Sequence, residues 1–179
     1  NAGEQIEKTG APRAKLLKSL PESERMSRAD LVRIANSYFS HLQGSAGKTS
    51  APFAPSCLRI ENGAQTSLVP PTTLPSAAPR PAASGGIPNI VGMTCEAQQK
   101  SGFFPFVTSI RDRRFPIVDR ERGVVVAFGF FDHSGTVSEI MLTSGTKVNA
   151  PLRTPTTFMM SEAFQIEKDK TGAGRIDQV

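Results

Sequence analysis

The stretch GVVVAFGFFDH, residues 123–133, decides the fold. Residues 124–131 carry the apolar, aromatic and β-branched content of a long strand. Residues 104–118 have the same content, and DRERG at 119–123 joins the two runs, so together they predict an antiparallel hairpin. DHSG at 132–135 is a further turn, followed by predicted strands at 137–142, 155–167 and 175–179. The second half of the chain therefore reads as a meander with period two.

Upstream, the periodicity is helical. Ser27 with Asp30 three residues later is an N-cap with an acid in the first turn. Leu31, Ile34, Ala35, Tyr38, Phe39 and Leu42 then follow at the spacing of a helix packed on one face. Gly44 stops it. Residues 53–62 read as a short strand, turned by Asn62-Gly63 into a returning strand at 65–69. Thr94 caps a short helix through Cys95, Ala97, Gln98 and Gln99, ended by Gly102. Residues 70–88 are rich in Pro, Ala and Ser and cannot hold a ladder, so they read as a long surface loop or a partly disordered insertion. The expected organisation is an arm at 1–26, with a helical turn near Ala14, and one α+β domain at 27–179, its helices packed over a curved antiparallel sheet that encloses a pocket.

Composition narrows the function. The 179 residues suffice for one domain with a real core, and no apolar run is long enough to span a bilayer. The net charge of +5 would suit an anionic polymer. Its distribution argues against nucleic acid, because the arginines of 111–122 are interleaved with Asp112, Asp119 and Glu121 and no nucleic-acid-binding motif accompanies them. GSAGKT at 44–49 imitates the end of a phosphate-binding loop, but Leu42 stands where the opening glycine is required and a helix precedes it. No nucleophilic triad order, zinc-protease string or dinucleotide fingerprint is present, so no cofactor and no metal are expected. Two cysteines, Cys57 and Cys95, allow at most one disulfide, and whether they are bonded is left open by the sequence. A disulfide would favour a secreted or periplasmic protein whose leader is absent or removed.

FAPSCLRIENG at 53–63, CEAQ at 95–98, RRFPIVD at 113–119, GVVVAFGFFDH at 123–133 and SEAFQI at 161–166 together resemble SnoaL-like proteins of the nuclear transport factor 2-like superfamily, over residues 28–179. The resemblance implies a cone of curved strands and three helices around a cavity, often dimeric through the outer sheet face, so a homodimer is expected. The superfamily includes cofactor-free isomerases, cyclases and dehydratases as well as binders without activity. A looser likeness points to cofactor-free lyases acting on lignin-derived diarylpropanes.

Candidate site residues follow from strand alternation. Phe158, Met160, Glu162, Phe164 and Ile166 share one face, and a carboxylate in that apolar row is suited to proton transfer. The alternative is a Glu162 paired with Arg111, Arg113 or Arg114. Cys57, Arg59 and Glu61 share a face of the first hairpin. Arg59 is a candidate oxyanion partner and Glu61 a candidate ligand contact, unless the two form only a structural pair. His133 is a candidate base at the pocket mouth. Tyr38 could turn its hydroxyl to the cavity, and Asn62, Arg114 and Asp119 are further candidate contacts, Asn62 and Asp119 doubling as turn residues. Phe104, Phe106, Phe128 and Phe130 are candidate walls. The expected function is a cofactor-independent lyase or isomerase acting on an apolar, aromatic small molecule, with a non-catalytic binder of a lipophilic ligand as the alternative.

Overall fold

The computed structural model describes residues 2–45, 47–67 and 90–179. The loop expected at 70–88, and residues 68 and 69 of the expected returning strand, lie outside these. Within the described residues the chain is α+β. A five-stranded sheet has the order β1-β9-β8-β5-β4, formed by β1 (Phe53–Leu58), β4 (Ser109–Asp119), β5 (Val124–His133), β8 (Thr156–Lys168) and β9 (Gly174–Gln178). Neighbours are antiparallel except β1, which runs parallel to β9 at the edge. Two small pairs stand apart: β2 (Ile60–Glu61) with β3 (Ala64–Gln65), and β6 (Glu139–Met141) with β7 (Lys147–Asn149).

The expected helix is α3 (Arg28–Leu42). Ser27 Oγ accepts from Asp30 N at 3.1 Å, and the six apolar residues of the stripe are all buried. They pack on the inner sheet face, where Phe39 meets Phe131 and Phe164 edge-on at 5.9 and 5.6 Å and Tyr38 meets Phe164 at 5.3 Å. Burial of each such side chain contributes roughly 1.5–3 kcal/mol. Thr94 caps α4 (Cys95–Lys100) through Ala97 N, as expected. The arm holds α1 (Ala2–Thr9), which the sequence reading missed, and the short α2 (Ala14–Leu17).

Three corrections concern strands. The first predicted strand pairs mainly with β9 at the far end of the chain, so the Asn62-Gly63 hairpin shrinks to two residues a side. Residues 104–108 are not strand, and β4 begins at Ser109. The predicted strand at 137–142 shortens to β6 and pairs with the unpredicted β7 instead of joining the main sheet. β4 is irregular: its register against β5 shifts on either side of Arg114, and Asp112 has φ 52°. Such bulges bend a strand, and the sheet curves without closing. At Gly123 the chain turns with φ +64°, and a Cβ there would run into the carbonyl oxygen of Ile166, so no other residue fits.

Candidate functional site

Alternation along β5 and β8 divides the sheet into two chemically different faces. Val125, Ala127, Gly129, Phe131 and His133 point inward, opposite Phe164, Glu162, Met160, Phe158 and Thr156. Glu162 thus sits on the inner face between Met160 and Phe164, across from the small side chain of Ala127. Among the described residues no donor is hydrogen-bonded to its carboxylate.

The cation whose charge acts on Glu162 is Arg59, in the link between β1 and β2. Its Nε donates to Tyr38 Oη at 3.3 Å, Nη1 to Gln98 Oε1 at 3.3 Å, and Nη2 to Glu61 Oε1. Gln98, from α4, is itself fixed by donating to the carbonyl oxygens of Thr66 and, at 2.9 Å, of Ile90. Backbone contacts hold the same link, since Arg59 N donates to Ser67 Oγ at 2.8 Å and Ile60 N to Val179 O at 2.8 Å. The Cys57–Cys95 disulfide ties β1 to the start of α4 beneath this array. A guanidinium has five N–H donors, and the described residues take three of those on Arg59. It also lies 6.0 Å from the Phe104 ring centroid.

Electrostatics follow from this packing. Burial pushes the Glu162 carboxyl up to about 7; Arg59 opposes the rise and Glu61 adds to it. Burial likewise pushes the Tyr38 hydroxyl up to about 12, against the pull of Arg59. Burial alone would lower Arg59, but Tyr38, Glu61 and Glu162 outweigh it and hold the guanidinium above the ordinary arginine value. Arg59 is therefore a fixed cation, while Glu162 can take or release a proton near neutral pH. Among the described residues no three of His, Cys, Asp and Glu cluster closely enough to hold a metal ion.

The structure brings together Tyr38, Arg59, Glu61 and Glu162 of the expected residues, with Phe104 and Phe106 nearby. His133 is on the same face at the end of β5, stacked on Phe106 at 5.7 Å. Others are placed elsewhere. Phe130 is on the outer face under the Arg111 guanidinium, 4.8 Å away, and Phe128 is on that face too. Arg114 lies opposite Phe128, exposed on that outer face. Asp119 closes the β4–β5 turn, accepting from Arg122 N at 3.0 Å and pairing with its side chain. Asn62 is an exposed turn residue with φ 49°. No arginine of β4 pairs with Glu162: Arg111 binds Asp132 and Asp112, and Arg113 donates to Asn36, Ser40 and Gln43 of the α3 end.

Gln98 and Gln99 were not expected at the site. Gln99 accepts from Ala51 N at 2.8 Å and donates to Tyr38 O at 3.4 Å, so α4 holds both Arg59 and the Tyr38 backbone. Their one sequence signal is the position of two glutamines inside a capped helix beside a cysteine. A groove of about 840 Å³ lies away from Glu162 at the sheet edge, between Lys15 and Lys18 of the arm, β1, and the β8–β9 turn. Among the described residues no helix is long and apolar enough to cross a membrane.

Neither a search of curated proteins nor one of solved structures returns a match. Residues 24–179 match the domain of unknown function DUF8021, and the chain belongs to that family.

Proposed function

We propose that the inner face at Glu162 is an acid–base site for an apolar, aromatic small molecule, working as a lyase or isomerase without a cofactor. Glu162 moves the proton and Arg59 stabilises the oxyanion that develops on the substrate. One observation carries this reading: a carboxyl that accepts no hydrogen bond from the described residues stands in an apolar row, under the charge of a guanidinium that the fold fixes in place and of whose five N–H groups the described residues take three. A stabilising ion pair would be hydrogen-bonded, and among the described residues Glu162 forms none. Phe104, Phe106 and Phe158 supply aromatic surface on the same side. The resemblance to SnoaL-like proteins is further support for a ligand on this face.

The test uses two adjacent methionines on opposite faces. With methyl-¹³C-labelled methionine, a panel of aryl ketones and aryl alcohols is added in D₂O, and deuterium incorporation into each compound is followed by mass spectrometry. A ligand of the site shifts the methyl of inward Met160 and leaves Met159, 72% exposed on the outer face, unmoved. Glu162→Gln retains the shift and loses the exchange. Exchange that survives in Glu162→Gln overturns the proton-transfer role, and binding without exchange in the parent leaves the alternative of a non-catalytic carrier.

Two smaller readings rest on separate observations. Met159 and, at 54%, Ile117 stand exposed beside Phe128 and Phe130 on the outer sheet face, which supports a homodimer through that face. The Cys57–Cys95 bond supports an oxidising, extracytoplasmic compartment.

A further inference from the structure

His133 is 5% exposed, and its Nδ1 is buried without a hydrogen-bond partner among the described residues. Buried polar atoms are nearly always satisfied, so an orphaned ring nitrogen calls for a partner that the described residues do not supply. The ring is held rigidly. It stacks on Phe106 at 5.7 Å with an interplanar angle of 20°, and it meets Phe158 edge-on at 5.3 Å. Phe158 is 43% exposed although it belongs to the inner row, so the aromatic surface around His133 is open on one side. A chain of ring contacts leads from here to the arginine: Phe106 to Phe104 at 6.2 Å, and Phe104 to the Arg59 guanidinium at 6.0 Å.

We propose that His133 Nδ1 is a specificity group that receives a hydroxyl substituent of an aromatic ring seated against Phe106 and Phe158. This deepens the acid–base reading of the inner face, and rests on it, by naming the substrate class: hydroxylated aryl compounds in preference to plain hydrocarbons. With the ring proton on Nε2, Nδ1 is an acceptor and the hydroxyl donates to it. A site built around such a bond discriminates against a ligand lacking it, because the buried nitrogen is then left unpaired.

The experiment compares p-cresol with toluene on the ¹⁵N-histidine-labelled protein. The chain has two histidines, and His41, whose Nδ1 is 2.6 Å from Ser37 O, is the internal control. The expected result is that p-cresol shifts the His133 ring nitrogens and not those of His41, and binds about tenfold tighter than toluene. His133→Phe, which keeps a ring between Phe106 and Phe158, is expected to retain toluene and lose the cresol preference. His133→Asn serves as the second variant should the first fold poorly. Equal affinities for the two probes, a His133 response no larger with cresol than with toluene, or no binding of either probe to the parent overturns the proposal. Following the Met160 methyl in the parent during the same titrations separates the two readings. A cresol preference without a Met160 response retains His133 and removes the Glu162 site, and a Met160 response without a cresol preference does the reverse.

Discussion

Replacing Glu162 with glutamine should make the folded protein more stable, and only above a definable pH. In the folded chain burial holds this carboxyl near 7, against an ordinary 4.5. Each tenfold difference in proton affinity corresponds to about 1.36 kcal/mol, so folding disfavours the ionised form by about 3 kcal/mol. The sign follows from proton counting. Between pH 4.5 and 7 the folded state holds a proton that the unfolded state has released, so stability falls as pH rises through this window, and the loss is nearly complete by pH 8. Below pH 4.5 both states are protonated and the group is neutral in its effect. Glutamine has almost the same shape and never ionises. Urea unfolding of parent and variant at pH 4, 5.5, 7 and 8 isolates the effect, because other titrating groups cancel in the difference. The expected difference is near zero at pH 4 and grows to about 3 kcal/mol in favour of the variant at pH 8. A difference independent of pH, or a variant less stable than the parent at pH 8, would refute the reasoning. A group retained at such a cost is what a functional site looks like in a stability measurement.

Other perturbations test the scaffold. The Cys57–Cys95 bond closes a loop with a sequence separation of 38, for which chain entropy gives a stabilisation of about 4 kcal/mol, so Cys57→Ser with Cys95→Ser should lower the unfolding free energy by about that amount in the absence of reductant, as read by urea denaturation. Tyr38→Phe removes the acceptor of Arg59 Nε and is expected to cost roughly 1–2 kcal/mol by the same assay. In the parent, ultraviolet titration should show the phenol of Tyr38, the chain's one tyrosine, ionising only toward pH 12. Met159→Lys should turn a homodimer into a monomer in sedimentation while leaving the Met160 response to ligand intact.

Much of this was legible in the sequence where the signal is local. The stripe from Leu31 to Leu42 is buried as its spacing demands, Ser27 and Thr94 cap the helices they precede, and period two along β8 puts Glu162 in an apolar row. Signals failed where both faces of a strand are apolar or where the partner is distant. In β5, Phe128 and Phe130 alternate with Ala127, Gly129 and Phe131, and hydrophobicity cannot tell which set faces the helices. The packing of α3 decides it, and the larger pair ends up outside. In β4 the irregular register around Arg114 breaks the count of two, which puts Arg111 and Arg114 outside and turns Arg113 toward α3. The pairing of β1 with β9 joins residues more than a hundred positions apart, and nothing in either strand specifies its partner. The bond from Arg59 to Gln98 is likewise a product of tertiary placement, through a disulfide that the sequence permits without requiring.

The most direct measurement is a pH titration of the Glu162 side-chain carboxyl, followed by its ¹³C chemical shift in protein labelled at glutamate and assigned by comparison with Glu162→Gln. A midpoint near 7 is the expected result and makes Glu162 a proton carrier at neutral pH. A midpoint near the ordinary 4.5 would contradict the acid–base account, because the carboxylate would then be a fixed negative charge beside Arg59.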